Sequence, residues 1–481
     1  MDTDSPLTGL LIDGAWTRPA GRGTFAVEDP ATLEVVAEVC DARPEDGVAA
    51  LDAAVASAQR WRETTPRDRA DLLRAVYDEV VGRTDEFAAL ITAECGKPLD
   101  EARGEVAYGA DFVRWFAEEA VRLPGLARPA PAGGTQLVHS RPVGPALLVT
   151  PWNFPLAMAT RKIAPALAAG CTVVVKPASP TPLTTALFAD VVLRHLTERG
   201  LPTGVLNVVP TSSASDLSAA VMGDRRLRKL SFTGSTAVGQ QLLRTAADGV
   251  LRTSMELGGN APFLVLDDAD LDAAVSGALV AKMRNAGQTC VAANRFYVQA
   301  GVADEFTDRL TAAFAALEVG DGRHGAQVGP LIDARAVDHM HEVVAAGRAG
   351  GARVMTGGDA PRDGAGHFFS PTVLAGVAPD ADLLGTEIFG PVAPVVTFGS
   401  DDEGLALANA TDEGLVAYAW TRDLDRATRL TQQLDAGMIG LNRGLVSDAT
   451  APFGGTKMSG LGREGGHAGL AEYLETVYVA C

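Results

Sequence analysis

A chain of 481 residues that is 47% hydrophobic and 21% charged buries a large core without staples and has room for two or three domains. Its formal net charge of −19 leaves no cationic excess to neutralise phosphates, which argues against nucleic acid or an anionic membrane surface as partner. The five cysteines (Cys40, Cys95, Cys171, Cys290 and Cys481) are scattered and form no C-x-x-C pair, so neither a disulfide framework nor a zinc site is expected. No metal is expected elsewhere.

The leading segment MDTDSPLTGL is acidic and lacks a basic start followed by an apolar run, so it does not read as a signal peptide. No stretch of about 20 apolar residues reads as membrane-spanning, and the expected location is cytoplasmic. Residues 46–120 read as helices, with AALDAAVASAQRW and DLLRAVYDEVVGR carrying apolar residues at helical spacing and Pro66 just ahead of the second. RLPGLARPAPAGG interrupts that pattern, and TQLVHSRPVG reads as an exposed, strand-like arm. From Gly144 onward, short β-branched runs (PALLVT, CTVVVKPA, GVLNVVP, LRKLSFTG) alternate with helical stretches. This predicts a parallel sheet with crossover helices, which binds ligands at the carboxyl ends of its strands. A second alternation starts near Asn260, with APFLVL, a helix over Leu271 to Met283, NRFYVQ, PVAPVVTF, VAYAWT and MIGLN. It predicts a second α/β unit. The last stretch, AEYLETVYVAC, reads as a strand that pairs with an arm, its own or another subunit's.

Two segments match G-x-G-x-x-G: GDGRHG (residues 320–325) and GLGREG (residues 460–465). Neither follows a strand and opens a helix, so both read as decoys for the dinucleotide fingerprint. SFTGSTAVG is better placed, because it follows a strand and opens a helix. There Gly234 permits the turn, and Ser235 and the first helical amides are placed to face a pyrophosphate; a plain strand-to-helix turn accounts for the spacing equally well.

TPWNFP, MELGGN and GQTC all fall at the sheet's ligand-binding edge. Together with KPAS, FTGS and EIFGP they occur in the order and spacing of the aldehyde dehydrogenase superfamily, which the chain resembles over nearly its whole length. Within that superfamily, TRKIAPALAAGCTVVVKPASPTP, RNAGQTCVAANRFYVQ and APFGGTKMSGLGREG are most similar to bacterial succinate-semialdehyde dehydrogenases. The resemblance implies an α/β fold with a discontinuous Rossmann-like cofactor domain (1–127 and 144–256). It also implies a catalytic domain (257–442) and bridging, oligomerisation segments (128–143 and 443–481), in a homodimer or homotetramer.

It further implies a reaction. An aldehyde carbon gives up hydride once a thiolate has added to it and made it tetrahedral. Cys290 matches the nucleophile; a lone cysteine is more often a buried, inert one, and a free thiol needs activation. Asn153, with the Cys290 backbone N–H, matches the oxyanion donors. Glu256 matches the base that activates water against the thioester, and its presence favours hydrolysis to a free acid over transfer to coenzyme A. For the cofactor, NADP or NAD, the resemblance marks Thr150, Pro151, Trp152, Lys176, Ser179, Gly234, Ser235, Leu257, Glu387 and Phe389. Ser179 stands where NAD-restricted relatives often carry Glu, and Lys176 adds a positive charge, so NADP is expected to be accepted. TSSASD lacks the glycines many relatives have there, and no contact is carried onto it.

Arg161, Arg284 and Ser447 match residues that hold a substrate carboxylate, for which an arginine fork is well shaped; a salt bridge or a loop cap would account for them otherwise. The implied reaction is NAD(P)-dependent oxidation of succinate semialdehyde to succinate. The alternatives are glutarate semialdehyde, a neutral aldehyde, or a catalytically silent protein on the same fold. Met283 and Arg443 depart from the residues common in close relatives and are candidates for reshaping the pocket. Ala292 stands where some relatives have a second cysteine, so no thiol switch of that kind is expected.

Overall fold

The computed structural model describes residues 5–361 and 366–481; of the leading segment read above, residues 1–4 lie outside it. Five short strands form the middle of an eight-stranded sheet: Leu206–Val208, Val173–Lys176, Ala146–Val149, Lys229–Thr233 and Arg252–Glu256, in that spatial order and all parallel. Every residue of the first four is buried, which is why they read as unbroken apolar runs rather than alternating ones. Numbered along the chain, the order is 3-2-1-4-5. The order reverses between Ala146–Val149 and Lys229–Thr233, and the crevice beyond their carboxyl ends is where such sheets take a ligand.

The edges of this sheet were not legible in the sequence. Leu10–Ile12 and Ala15–Thr17 form a hairpin that adds antiparallel to Leu206–Val208, and Gly460–Leu461 adds antiparallel to Arg252–Glu256. Strands of two or three residues leave no periodicity to read. A further hairpin, Thr24–Glu28 with Val35–Cys40, also precedes the first helix.

The helices follow their capping signals. Pro66–Gly82 starts at the proline, with Thr65 and Asp68 in a reciprocal capping box. Pro155–Ala169 starts at a proline and ends on Gly170 in the left-handed region. Leu271–Met283 is capped by the Asp270 carboxylate, which accepts from the Ala273 amide at 3.1 Å.

The second alternation forms a seven-stranded sheet around Ala293–Gln299, Ala261–Val265 and Val416–Trp420. It is parallel apart from its edge strand Arg353–Thr356. Phe263 sits at the centre of its core, against Phe296, Phe306, Tyr418 and Trp420.

The expected arm is the strand Thr135–Pro142, with alternating exposed and half-buried residues. It pairs on one side with Gly125–Pro129, which the Pro/Gly content had concealed, and on the other with Leu474–Ala480 of the same chain. Among the described residues, no helix is long and apolar enough to cross a membrane.

Candidate active site

Three cavities meet at the sheet edges. The first, of about 340 Å³, lies at the switch point and is lined by Thr150, Lys176, Ser218, Thr233, Gln241 and Thr245 among others. No acidic side chain is among the described residues lining it. Lys176 is buried, and loss of water lowers its ammonium to about 8. Thr150 and Thr233 each bury a hydroxyl oxygen that has no partner among the described residues. A buried cation without a counter-ion and two orphaned hydroxyls suit an anionic, hydroxyl-rich ligand. Ser179 lies half-buried past the end of the strand and does not line this cavity. Ser215, in the TSSASD stretch to which no contact was assigned, does.

The second cavity, of about 250 Å³, brings together Pro151, Trp152, Asn153, Gly234, Ser235, Leu257, Cys290, Glu387 and Phe389. Its walls are close-fitting. A Cβ at Gly258 would stand 2.9 Å from Glu387 Oε2, and one at Gly259 would stand 2.5 Å from the Cys290 carbonyl oxygen. Phe389 holds a positive φ of 50°, a conformation that costs a bulky residue of order 1–3 kcal/mol and tends to mark functional sites. Its ring meets Trp152 edge-on at 5.7 Å. Glu387 accepts from the Gly259 amide at 3.1 Å, and loss of water raises its carboxyl to about 7. Trp152, Glu387 and Phe389 together line this cavity with two aromatic rings and a carboxyl group, a lining that suits the nicotinamide and ribose of a dinucleotide. The residues present fit NADP or NAD.

The third compartment is narrow and lies across Cys290 from the second. Tyr108, Arg161, Arg284, Ser447 and Phe453 line it, with Asn153, Met158 and Cys290 shared between the two. Cys290 follows a left-handed turn: Asn285, Ala286 and Gly287 have φ of 50°, 54° and 79°. The turn is pinned by amides. Gln288 Nε2 donates to the Asn285 carbonyl at 3.0 Å, and Gln288 Oε1 accepts from the Ile332 amide at 2.9 Å. Asn153 Nδ2 donates to the Gln288 carbonyl at 3.0 Å, which leaves its second N–H free. Burial pushes the Cys290 thiol up to about 12; the Arg161 charge works against that, and Glu387 and Glu256 add to it.

Glu256 is buried at the end of its strand, and neither carboxyl oxygen has a hydrogen-bond partner among the described residues. Burial, and then the charge of Glu464, raise its carboxyl well above the usual range; Arg161, Lys162 and Arg463 offset part of this. Glu464 belongs to GLGREG, the segment that read as a phosphate decoy. Its carboxylate pairs with both Arg161 and Lys162. Burial alone would raise Glu464, and those two cations together hold it below the usual range.

Arg161 is thus both an ion-pair partner of Glu464 and a wall of the third compartment, 4.5 Å over the Phe453 ring. Arg284 has no ion pair among the described residues and lies 5.4 Å from the Phe154 ring centroid. Tyr108 was not foreseen. Its hydroxyl is buried in this compartment beside Arg161 and Ser447, and a lone tyrosine on a helix carries no sequence signal for this. Met283 is packed in the core of the second sheet and Arg443 is exposed; neither lines the compartment. Ala292 is buried against the nucleophile's turn.

Comparison with known proteins agrees with this geometry. The Aldehyde dehydrogenase family profile matches residues 16–479. A succinate-semialdehyde dehydrogenase of Paenarthrobacter nicotinovorans is 57% identical over 447 residues, covering 92% of this chain and 98% of that protein. A glutarate-semialdehyde dehydrogenase of Pseudomonas aeruginosa is 47% identical, over 97% of this chain and 96% of that one. A crystal structure described as an E. coli NADP dependent enzyme superposes with a TM-score of 0.96 at 45% identity, over 99% of each chain. Matches of this extent make the chain a member of the aldehyde dehydrogenase family, an oxidoreductase.

Proposed function

We propose that the protein oxidises succinate semialdehyde to succinate with NADP or NAD, by way of a thiohemiacetal and then a thioester on Cys290. The observation that carries this reading is the position of Cys290. The thiol stands between a cavity fit for a nicotinamide and a compartment lined by two arginines.

The aldehyde enters with its carboxylate toward Arg161, Arg284, Ser447 and the Tyr108 hydroxyl. The Cys290 thiol loses its proton to solvent, the thiolate sulfur adds to the carbonyl carbon, and the free N–H of Asn153 and the Cys290 amide take the developing oxyanion; one such donor is worth about 2.7–4 kcal/mol. NADP or NAD, when bound, would supply the hydride acceptor. Trp152, Glu387 and Phe389 would hold its nicotinamide end, Leu257, Gly234 and Ser235 would border its path, and Lys176 and Thr150 would hold its adenosine end. Ser179 is assigned to the same end by resemblance. Glu256 accepts the proton of the water that cleaves the thioester. The acid-free cavity around Lys176 favours acceptance of a 2′-phosphate.

The discontinuous cofactor unit (1–127 and 144–256), the catalytic unit (257–442) and the bridging segments (128–143 and 443–481) remain our division of the chain. The arm exposes Leu126 and Tyr478, in register with each other through Val138, which suits a homodimer or homotetramer. We assign the protein to the cytoplasm, in keeping with five unpaired cysteines.

Glutarate semialdehyde is the second reading, one methylene longer, favoured by the 47% identical relative. A panel of succinate semialdehyde, glutarate semialdehyde and butanal, each with NAD and NADP, tests the proposal, with Cys290→Ala as the inactive control. A preference for butanal would refute it.

A further inference from the structure

Lys97 and Glu105 form an ion pair whose side chains are 1% and 0% exposed. Neither lines the cavities that meet at Cys290, and the reaction above uses neither. Burying two charges is costly unless both are paired and hydrogen-bonded further. Their further contacts fall on one short segment. Lys97 Nζ donates to the Asn153 carbonyl at 3.0 Å and stands 3.7 Å over the Phe154 ring. Glu105 Oε1 accepts from the Leu156 and Ala157 amides at 2.9 and 3.2 Å. Those are among the first amides of the helix Pro155–Ala169 and have no intrahelical acceptor. The Asn153 carbonyl also accepts from Asn285 Nδ2 at 3.1 Å, which ties it to the left-handed turn before Cys290.

We propose that Lys97, held by Glu105, is a positioning residue for the oxyanion donor. It fixes the Asn153 backbone so that the side-chain amide, with one N–H on the Gln288 carbonyl, presents the other to the aldehyde oxygen at Cys290. Phe154, between Lys97 and Arg284, is set by the same contact. The inference rests on the oxyanion role given to Asn153 above.

The test is a double-mutant cycle. Lys97→Met combined with Glu105→Gln removes both charges and keeps a carbonyl acceptor for Leu156 and Ala157. The expected result is a fall in kcat of roughly tenfold or more, with the cofactor KM within about twofold. Alkylation of Cys290 by iodoacetamide builds no oxyanion and proceeds within about twofold of the parent rate. Adding Asn153→Ala to this pair brings the total loss only to about the hundredfold that Asn153→Ala costs alone, rather than the roughly thousandfold of independent effects, because both changes remove one interaction. Additive losses overturn the proposal, and so does a folded pair variant with kcat within about twofold of the parent. If the pair variant does not fold, Glu105→Gln alone enters the same cycle. Full kcat in Asn153→Ala would refute the oxyanion reading itself, and with it this role for Lys97.

Discussion

Arg284→Met is the perturbation that best separates a carboxylate clamp from a structural arginine. Arg161 is the poorer choice. It is buried and paired with Glu464, so truncating it strips a buried acid of one partner and costs of order 3–5 kcal/mol of stability. Arg284 is half-buried, has no ion pair among the described residues and rests on the Phe154 ring. Its removal orphans no charge and forfeits about 0.5–1 kcal/mol of cation–π contact. Against the substrate it forfeits a charge-assisted hydrogen bond, about 1.5–3 kcal/mol, or a factor of roughly 10–150 in kcat/KM. The assay compares kcat/KM for succinate semialdehyde and for butanal, which has the same carbon chain and no carboxylate, at one saturating cofactor. The expected result is that loss for the acid aldehyde, borne mainly by KM, with butanal within about threefold of the parent. Equal losses on the two substrates would refute the clamp.

Glu256→Gln is expected to give a burst of about one equivalent of reduced cofactor per site and then stall, because the thioester forms but is not hydrolysed; undiminished steady-state turnover would contradict its role. In the parent enzyme, burial and Glu464 raise the Glu256 carboxyl, so it is protonated and idle as a base at lower pH. Steady-state turnover therefore rises with pH as that proton is lost, and a profile that falls from pH 6 to 9 would reverse the sign. With the Cys290 thiol at about 12 in the free enzyme, alkylation by iodoacetamide rises roughly tenfold per pH unit between about pH 7 and 10, and a plateau near neutrality would contradict that. Peroxide treatment is expected to leave no intrasubunit disulfide at Cys290, which peptide mapping reads, because position 292 is alanine. Lys176→Met is expected to raise the KM for NADP by about tenfold more than that for NAD, through loss of one ammonium–phosphate contact; equal changes would remove Lys176 from cofactor discrimination.

The candidate site residues were legible because each sits in a local pattern. Thr150 to Asn153 and Gly234 with Ser235 follow directly on short buried strands and Glu256 ends one, and parallel strands aim their carboxyl ends at a ligand. The helices were legible from spacing and caps, down to Leu271–Met283. The strand pair Leu10–Ile12 with Ala15–Thr17 was not legible and Gly125–Pro129 with Thr135–Pro142 only half so, since very short or Pro/Gly-bearing strands owe their existence to the partner they pair with.

By itself, then, the sequence determined the parallel α/β architecture and marked Cys290 and most of the groups around it as candidates, because periodicity and motif spacing are local properties. Tertiary structure alone decided which charges are shared and which are free. Lys162 meets Glu464 across 302 residues and Arg161 pairs with the same carboxylate, so the GLGREG loop anchors Arg161 and is a source of the raised Glu256 carboxyl. Tertiary structure also decided that Arg284 has no ion pair among the described residues, that the Tyr108 hydroxyl shares its compartment, and that Met283 and Arg443 do not line it. Burial and charge pairing depend on side chains brought together across the whole chain, and no local spacing records them.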